Sequence, residues 1–373
     1  MREPPGERLL HPGEIALAGP GRRVVPGRFF VEPIFVEPIF VERVFVERVI
    51  VERVIHHART LSAAGPTSGA PGPDPRPTAR RGHLVTTPTE GPFAAYAGLP
   101  SVGVSEFEKA ITPVVDESGT WSAEVAPGWD IGGRPHGGYL LAITARIALE
   151  VTGREHPLAI SAHFLRSPAP TAVTASTRLL RAGRSTAVAA VDLHQDGEPI
   201  LAALTTAGRA PGSAAPVLQR GDSPALPAPG ECVDVQGADN PFRQKLHEKI
   251  DIRLDPGSIG WAVGNPRGTG EIRGWVRLRD GSEPDALFTL LALDALPPTT
   301  FDFGLFGWAP TVELTALLRG APAPGWLRVV MRSTLIDDGW LDEDVEVWDS
   351  TNRLVAQGRQ LAAYRTPPPA PAT

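Results

Sequence analysis

Two stretches of this chain follow one plan, and that repetition constrains its fold more than any single motif. In the first, a Gly-rich loop, Gly132-Gly133-Arg134-Pro135-His136-Gly137-Gly138, opens an apolar helix expected from Tyr139 to about Val151. Strands are expected next at Leu158 to Arg166, Ala172 to Leu180, Thr186 to His194 and Ile200 to Ala207. Ala182-Gly183 and Asp196-Gly197 supply turns, the second a strong hairpin signal. In the second stretch Pro284 opens a helix expected over Asp285 to Ala295, followed by strands at Thr311 to Arg319, Gly325 to Leu335, Trp340 to Trp348 and Leu354 to Tyr364. Asp337-Asp338-Gly339 and Asp349-Ser350-Thr351-Asn352 mark the turns. Residues repeat too, since Phe164-Leu165-Arg166-Ser167-Pro168-Ala169-Pro170 parallels Leu317-Leu318-Arg319-Gly320-Ala321-Pro322-Ala323-Pro324. The pattern reads as an internal duplication.

A helix apolar on every side is expected to be buried, and a bent antiparallel sheet wrapped around it is a natural container. The expected fold class is therefore α+β, two fused hotdog domains; order and spacing alone leave an unrelated α+β pair as the alternative. The expected domains are residues 91–209 and 241–366, joined by a Pro/Ala/Gly-rich linker over 210–240 and followed by a Pro-rich tail at 367–373.

Residues 1–90 read as a low-complexity extension. A five-residue unit recurs from Phe30 to Ile55, marked by Glu32, Glu37, Glu42, Glu47 and Glu52. A period of five gives neither a helix nor a strand a stable apolar face. Three readings stay open: an interaction or membrane-surface segment, a disordered extension continued through Ala63 to Pro77, or upstream DNA read through, with translation starting near Val85. An intact mass of 39.6 kDa from native DNA would exclude the last.

Charge excludes one class of partner. With 36 basic against 42 acidic residues the chain has no positive excess for a phosphate backbone, so nucleic acid is not an expected partner. The single cysteine, Cys232, excludes an intrachain disulfide and any thiolate metal cluster. Neither a signal peptide nor an apolar run of bilayer length is present, so the expectation is a soluble cytoplasmic protein without a membrane partner.

The candidate chemistry concentrates at two places. Asp294 follows an almost uninterrupted apolar helix and sits near its C-terminus, where both burial and the macrodipole disfavour a carboxylate. Either a function compensates, or the side chain emerges to solvent. At His136-Gly137-Gly138 the backbone N–H groups of a helix start can face an oxyanion, although a turn and close packing account for the glycines equally. His136 reads as a loop residue, and His163 as a strand histidine. No metal-ligand spacing, nucleophilic serine elbow or P-loop occurs.

Three segments of the first half resemble a known family, the double-hotdog acyl-CoA thioesterases of the acyl-CoA thioesterase II type. They are His163-Phe164-Leu165-Arg166-Ser167-Pro168, Leu180-Arg181-Ala182-Gly183-Arg184-Ser185 and Gln195-Asp196-Gly197-Glu198-Pro199-Ile200. The second half is similar through Leu293-Asp294, Pro310-Thr311-Val312-Glu313 and Leu354-Val355-Ala356-Gln357-Gly358-Arg359-Gln360, and coverage runs from about Pro92 to Arg365. The resemblance implies that Asp294, Thr311 and Gln360 jointly bind the water that attacks an acyl-CoA thioester, with Asp294 as general base and no cofactor or metal. By fold symmetry the oxyanion would face Gly137 and Gly138, and Arg184 with Arg181 can meet CoA phosphates or be ordinary hairpin arginines. Superposing the halves sets Ala145, Leu158 and Thr206 opposite the three polar residues, so one site per chain is expected. The alternatives are an acyl-ligand-binding hotdog protein without turnover and, ranked last, a hydratase using His136 with Asp130. A homo-oligomer of chains is an open expectation.

Overall fold

The computed structural model describes residues 104–210, 212, 216–237 and 243–365; the pentad repeat and the Pro-rich tail lie outside them. Three α-helices organise the interior: α1 (Glu106–Ile111), α2 (Gly137–Thr152) and α3 (Ala286–Ala292). Ser105 caps α1 by accepting the Glu108 N–H at 2.9 Å, and Gly153, in the left-handed conformation, closes α2. Every residue of α3 is buried, as is α2 from Gly138 through Leu149 except Arg146. That is the burial the apolar pattern requires.

Eleven strands carry the sheet: β1 (Trp121–Glu124), β2 (His156–Phe164), β3 (Ala172–Ala182), β4 (Thr186–Gln195), β5 (Glu198–Gly208), β6 (Ile250–Leu254), β7 (Glu271–Leu278), β8 (Thr311–Leu318), β9 (Leu327–Arg332), β10 (Trp340–Trp348) and β11 (Leu354–Ala363). Short two-residue bridges extend its edges. The strands lie in the order β1-β3-β4-β5-β2-β8-β11-β10-β9-β7-β6. Read outward from the β2–β8 pair, the two halves run β2-β5-β4-β3-β1 and β8-β11-β10-β9-β7. The same succession of corresponding strands appears on either side. At the seam β2 and β8 pair antiparallel, from Ala159 opposite Leu317 to His163 opposite Glu313, as two copies related by a twofold axis must. The duplication read from sequence is thus visible in the topology.

Three differences from the sequence reading have local causes. Helix α2 starts two residues earlier, at Gly137. Helix α3 stops at Ala292 rather than Ala295, because the Asp294 and Ala295 N–H groups bond three residues back, to Leu291 and Ala292, before Pro297-Pro298 removes further donors. Strands β1, β6 and β7 and helix α1 were not expected. In β6 Ile250, Ile252 and Leu254 alternate with Asp251 and Arg253, but the run is only five residues long; Asp251, on the other face, is a buried carboxylate bonded to Arg253 and Arg277.

The two central helices meet at a close approach. A Cβ on Gly138 would lie 2.8 Å from the Leu290 carbonyl oxygen and 2.8 Å from the Leu291 Cα, so only glycine lets the first turn of α2 rest on the end of α3. This contact brings Asp294, just beyond α3, to the start of α2.

Candidate active site

Helix α2 has an N-cap, His136, whose side chain makes no capping bond. The cap comes from the other lobe: Asp294 Oδ2 accepts the Gly138 N–H at 2.8 Å, placing the carboxylate against the positive end of α2. The sequence cost of an acid at the end of α3 is offset by the dipole of α2. His136 is buried, and its Nε2 donates to the Asp294 carbonyl oxygen at 2.8 Å while lying 3.4 Å from Oδ2. Two bonds from one loop therefore fix the Asp294 backbone and one carboxylate oxygen. The other oxygen, Oδ1, has no partner among the described residues, and the side chain keeps 13% exposure. A Cβ on Gly137 would fall 2.8 Å from Oδ2 and 3.4 Å from the Phe164 ring, so this residue faces the carboxylate directly.

Thr311, the first residue of β8, donates its hydroxyl to Gln360 Oε1 at 2.8 Å. Gln360 is buried on β11, in inward phase with Ala362, and its Nε2 donates to Glu343 Oε2 at 2.5 Å. Glu343 was not singled out in the sequence, yet a signal was there. On β10 it falls in phase with Leu341, Val345 and Val347, all buried, where an acid is out of place. Its Oε1 accepts the Thr299 N–H at 2.8 Å and contacts Thr299 Oγ1 at 2.9 Å. Burial, with the nearby Asp294 charge a lesser contribution in the same direction, pushes the Glu343 carboxyl up to about 7.

The structure brings Thr311 and Gln360 into direct contact and sets Asp294 in the electrostatic field of the same cluster. It does not bring Arg184 there. Gly183, in the same hairpin, accepts from Arg154 beyond the C-terminal end of α2 at 2.6 Å, roughly 24 Å of helix away from Gly137. Of the two expected oxyanion donors, the Gly138 N–H is engaged by Asp294, leaving the Gly137 N–H without an acceptor among the described residues. Asp130 does not pair with His136; its oxygens accept the Gly128 and Gly133 N–H groups at 3.2 and 3.1 Å and shape the loop. His163 lies exposed on β2. Among the described residues no group of three or more His, Cys, Asp or Glu is arranged to hold a metal ion.

Among the described residues the first lobe has no counterpart of this cluster at the matching positions. Ala145 is buried in the apolar core of α2, and Leu158 and Thr206 lie half-buried on β2 and β5. Fold and site together define a double-hotdog protein whose candidate polar centre is built by the second lobe and completed by the helix start of the first.

Comparison with known proteins agrees. Family models described as the acyl-CoA thioesterase N-terminal domain and C-terminal domain match residues 125–208 and 229–364. An uncharacterized protein of Mycobacterium tuberculosis is 36% identical over 281 residues, covering 68% of this chain and 95% of its own. A crystal structure from Thermobifida fusca, described as a candidate thioesterase II, is 34% identical with a TM-score of 0.65, covering 71% of this chain and 99% of that one. A protein of unknown function with a hot dog fold from Alicyclobacillus acidocaldarius shares the fold at 21% identity and a TM-score of 0.63, over 70% of this chain and 98% of its own. The chain belongs to the double-hotdog acyl-CoA thioesterase family.

Proposed function

We propose that the protein hydrolyses an acyl-CoA thioester to the free acid and CoA, using a water held by Asp294, Thr311 and Gln360. The observation that carries this reading is the division of labour at Asp294: one carboxylate oxygen is fixed by the Gly138 N–H, and the other has no partner among the described residues. The free oxygen accepts one hydrogen of the water. Because Thr311 spends its own hydrogen on Gln360, its oxygen accepts the second. Gln360 gives one N–H to Glu343 and keeps one for a lone pair of the water, so the remaining lone pair points at the thioester carbon. Asp294 takes the proton as the C–O bond forms; the tetrahedral intermediate expels the CoA thiolate, and no covalent enzyme intermediate is needed. The Gly137 N–H, at the positive end of α2, is the donor that faces the developing oxyanion. The buried, free Cys232 suits a cytoplasmic, reducing setting.

A second reading has its own observation. Asp294 caps a helix that lacks a side-chain cap, so its carboxylate has a structural use, and the protein can then be an acyl-CoA binder without turnover. Release of free thiol from acyl-CoAs graded from acetyl to palmitoyl separates the two. Turnover that disappears in folded Asp294→Asn supports the hydrolase; binding without release from any ester supports the carrier.

A further inference from the structure

The hydrogen bonds around Glu343 contain more acceptors than the visible donors can serve. Ser333 Oγ lies 2.6 Å from the Asp342 carbonyl oxygen, which can only accept, so the single Ser333 hydroxyl hydrogen is spent there. Ser333 Oγ also lies 2.5 Å from Thr299 Oγ1, and the hydrogen in that contact must come from Thr299. Thr299 then has none left for Glu343, yet Thr299 Oγ1 and Glu343 Oε1 are 2.9 Å apart. Only a hydrogen on Glu343 completes the chain. The other carboxyl oxygen, Oε2, accepts from Gln360.

We infer that Glu343 is a neutral carboxylic acid, clamped between Thr299 and Gln360, and that it is the positioning residue which fixes the Gln360 amide for the water. The second half of this statement rests on the hydrolytic reading; the first does not. With its hydroxyl committed to Thr299, Glu343 presents only its carbonyl oxygen to Gln360. The amide must turn its NH2 toward Glu343 and its oxygen toward Thr311, whose hydroxyl donates to it at 2.8 Å. A flipped amide would set its oxygen against the Glu343 carbonyl oxygen.

The surroundings favour the neutral form. Glu343 is 2% exposed, and burial raises its pKa to about 7. Asp294 is the charge that faces it, and it opposes a second negative charge nearby. The remaining ionic groups are engaged elsewhere. Asp342 and Asp344 pair with Arg359 on the opposite face of the sheet, and His136 binds Asp294. Asp302 accepts the backbone N–H groups of Arg267, Thr269 and Gly270. The hydrogen that the Ser333–Thr299–Glu343 chain requires therefore resides on Glu343.

The test uses the intact protein with Glu343→Gln and Glu343→Leu. An infrared difference spectrum, wild type minus Glu343→Gln, should show the carbonyl stretch of a buried protonated carboxyl below about pH 7 and its loss above. Absence of that band below pH 7 overturns the neutral acid. In the Gln variant the amide oxygen can still accept from Gln360, but its NH2 then meets the Thr299 N–H that Oε1 accepts in the wild type, so the Gln360 side-chain amide resonances should move less, and kcat should fall less, than in the Leu variant. Glu343→Leu removes the acceptor; those resonances should move, and kcat should fall on the order of 100-fold with KM little changed. A folded Leu variant with unmoved resonances and full kcat overturns the positioning role. If the wild type hydrolyses nothing, the proposed function fails, while the band and the resonances still decide this inference. Should the Leu variant not fold, the band and the Gln variant decide it.

Discussion

Asp294 joins the two lobes through its backbone carbonyl, bonded by His136, and through Oδ2, and in the hydrolytic reading carries its chemistry on the other oxygen. This predicts an uneven response to substitution. In Asp294→Asn an amide oxygen can keep the Gly138 bond, so the fold should persist, but the base is gone and kcat should fall roughly 10²- to 10⁴-fold. Thiol release beside a circular-dichroism melt checks both halves; unaltered turnover removes Asp294 as the base. Gly137→Ala is a steric test of the same point. Its Cβ would meet Oδ2 at 2.8 Å and push the carboxylate aside, so kcat should drop on the order of 100-fold. At this scale the sequence was legible where a residue type contradicts its surroundings, as Asp294 does. Thr311 and Gln360 are unremarkable in pattern and became visible only through family resemblance. Glu343 contradicts its strand phase as plainly as Asp294 contradicts its helix, but nine-residue alternation with Asp342 and Asp344 on either side hides it among ordinary surface acids. The Gly138 N–H could not be recognised as engaged, because its partner is 156 residues away in the chain.

At the scale of elements, the α2–α3 approach is what assembles the site. Gly138→Ala places a methyl group 2.8 Å from two backbone atoms of α3, and backbone cannot rotate away as a side chain can. The helices must separate, at a cost of about 1–3 kcal/mol, and Asp294 loses its seat at α2. Urea unfolding should therefore show a lower midpoint, and activity should fall together with stability. An alanine variant as stable as wild type would show that the approach is looser than the structure has it. The helices and the four strands after each were legible because turns such as Asp196-Gly197 punctuate clear alternation. Strands β6 and β7 were not, since the alternation of β6 spans only five residues, and β7 places Gly274 opposite the Leu254 backbone, where a side chain would collide with β6. The other partner of β7, strand β9, lies far along the chain, beyond any local pattern.

At the scale of the whole molecule, two buried groups of the second lobe, Glu343 and His247, are shifted in opposite directions, and this opposition governs how stability depends on pH. In the fold Glu343 keeps its proton up to about pH 7, whereas the unfolded chain releases it near 4.5. Across that window the native state binds the extra proton, so stability falls as pH rises. His247 behaves in the opposite sense. Burial, then the neighbouring His136, lowers its pKa from 6.5 to about 4, so between those values the unfolded state binds more protons and stability rises with pH. At about 1.4 kcal/mol per pH unit each swing is worth roughly 3 kcal/mol. The two nearly cancel between pH 4.5 and 6.5. Lesser groups oppose each other as well: buried Asp285, raised by desolvation, follows Glu343, and His156, lowered by desolvation and then Arg353, follows His247. Urea unfolding stepped through this window should thus give a shallow profile for the wild type. Glu343→Gln should expose the His247 slope, with stability climbing toward pH 6.5, and His247→Asn, whose side-chain oxygen can replace Nδ1 as acceptor for the Gln244 N–H, should expose the Glu343 slope, declining to about pH 7. If both variants keep the shallow wild-type profile, neither group titrates within the fold in this range, and the opposition between an acid held neutral and a histidine held neutral is not what levels the curve.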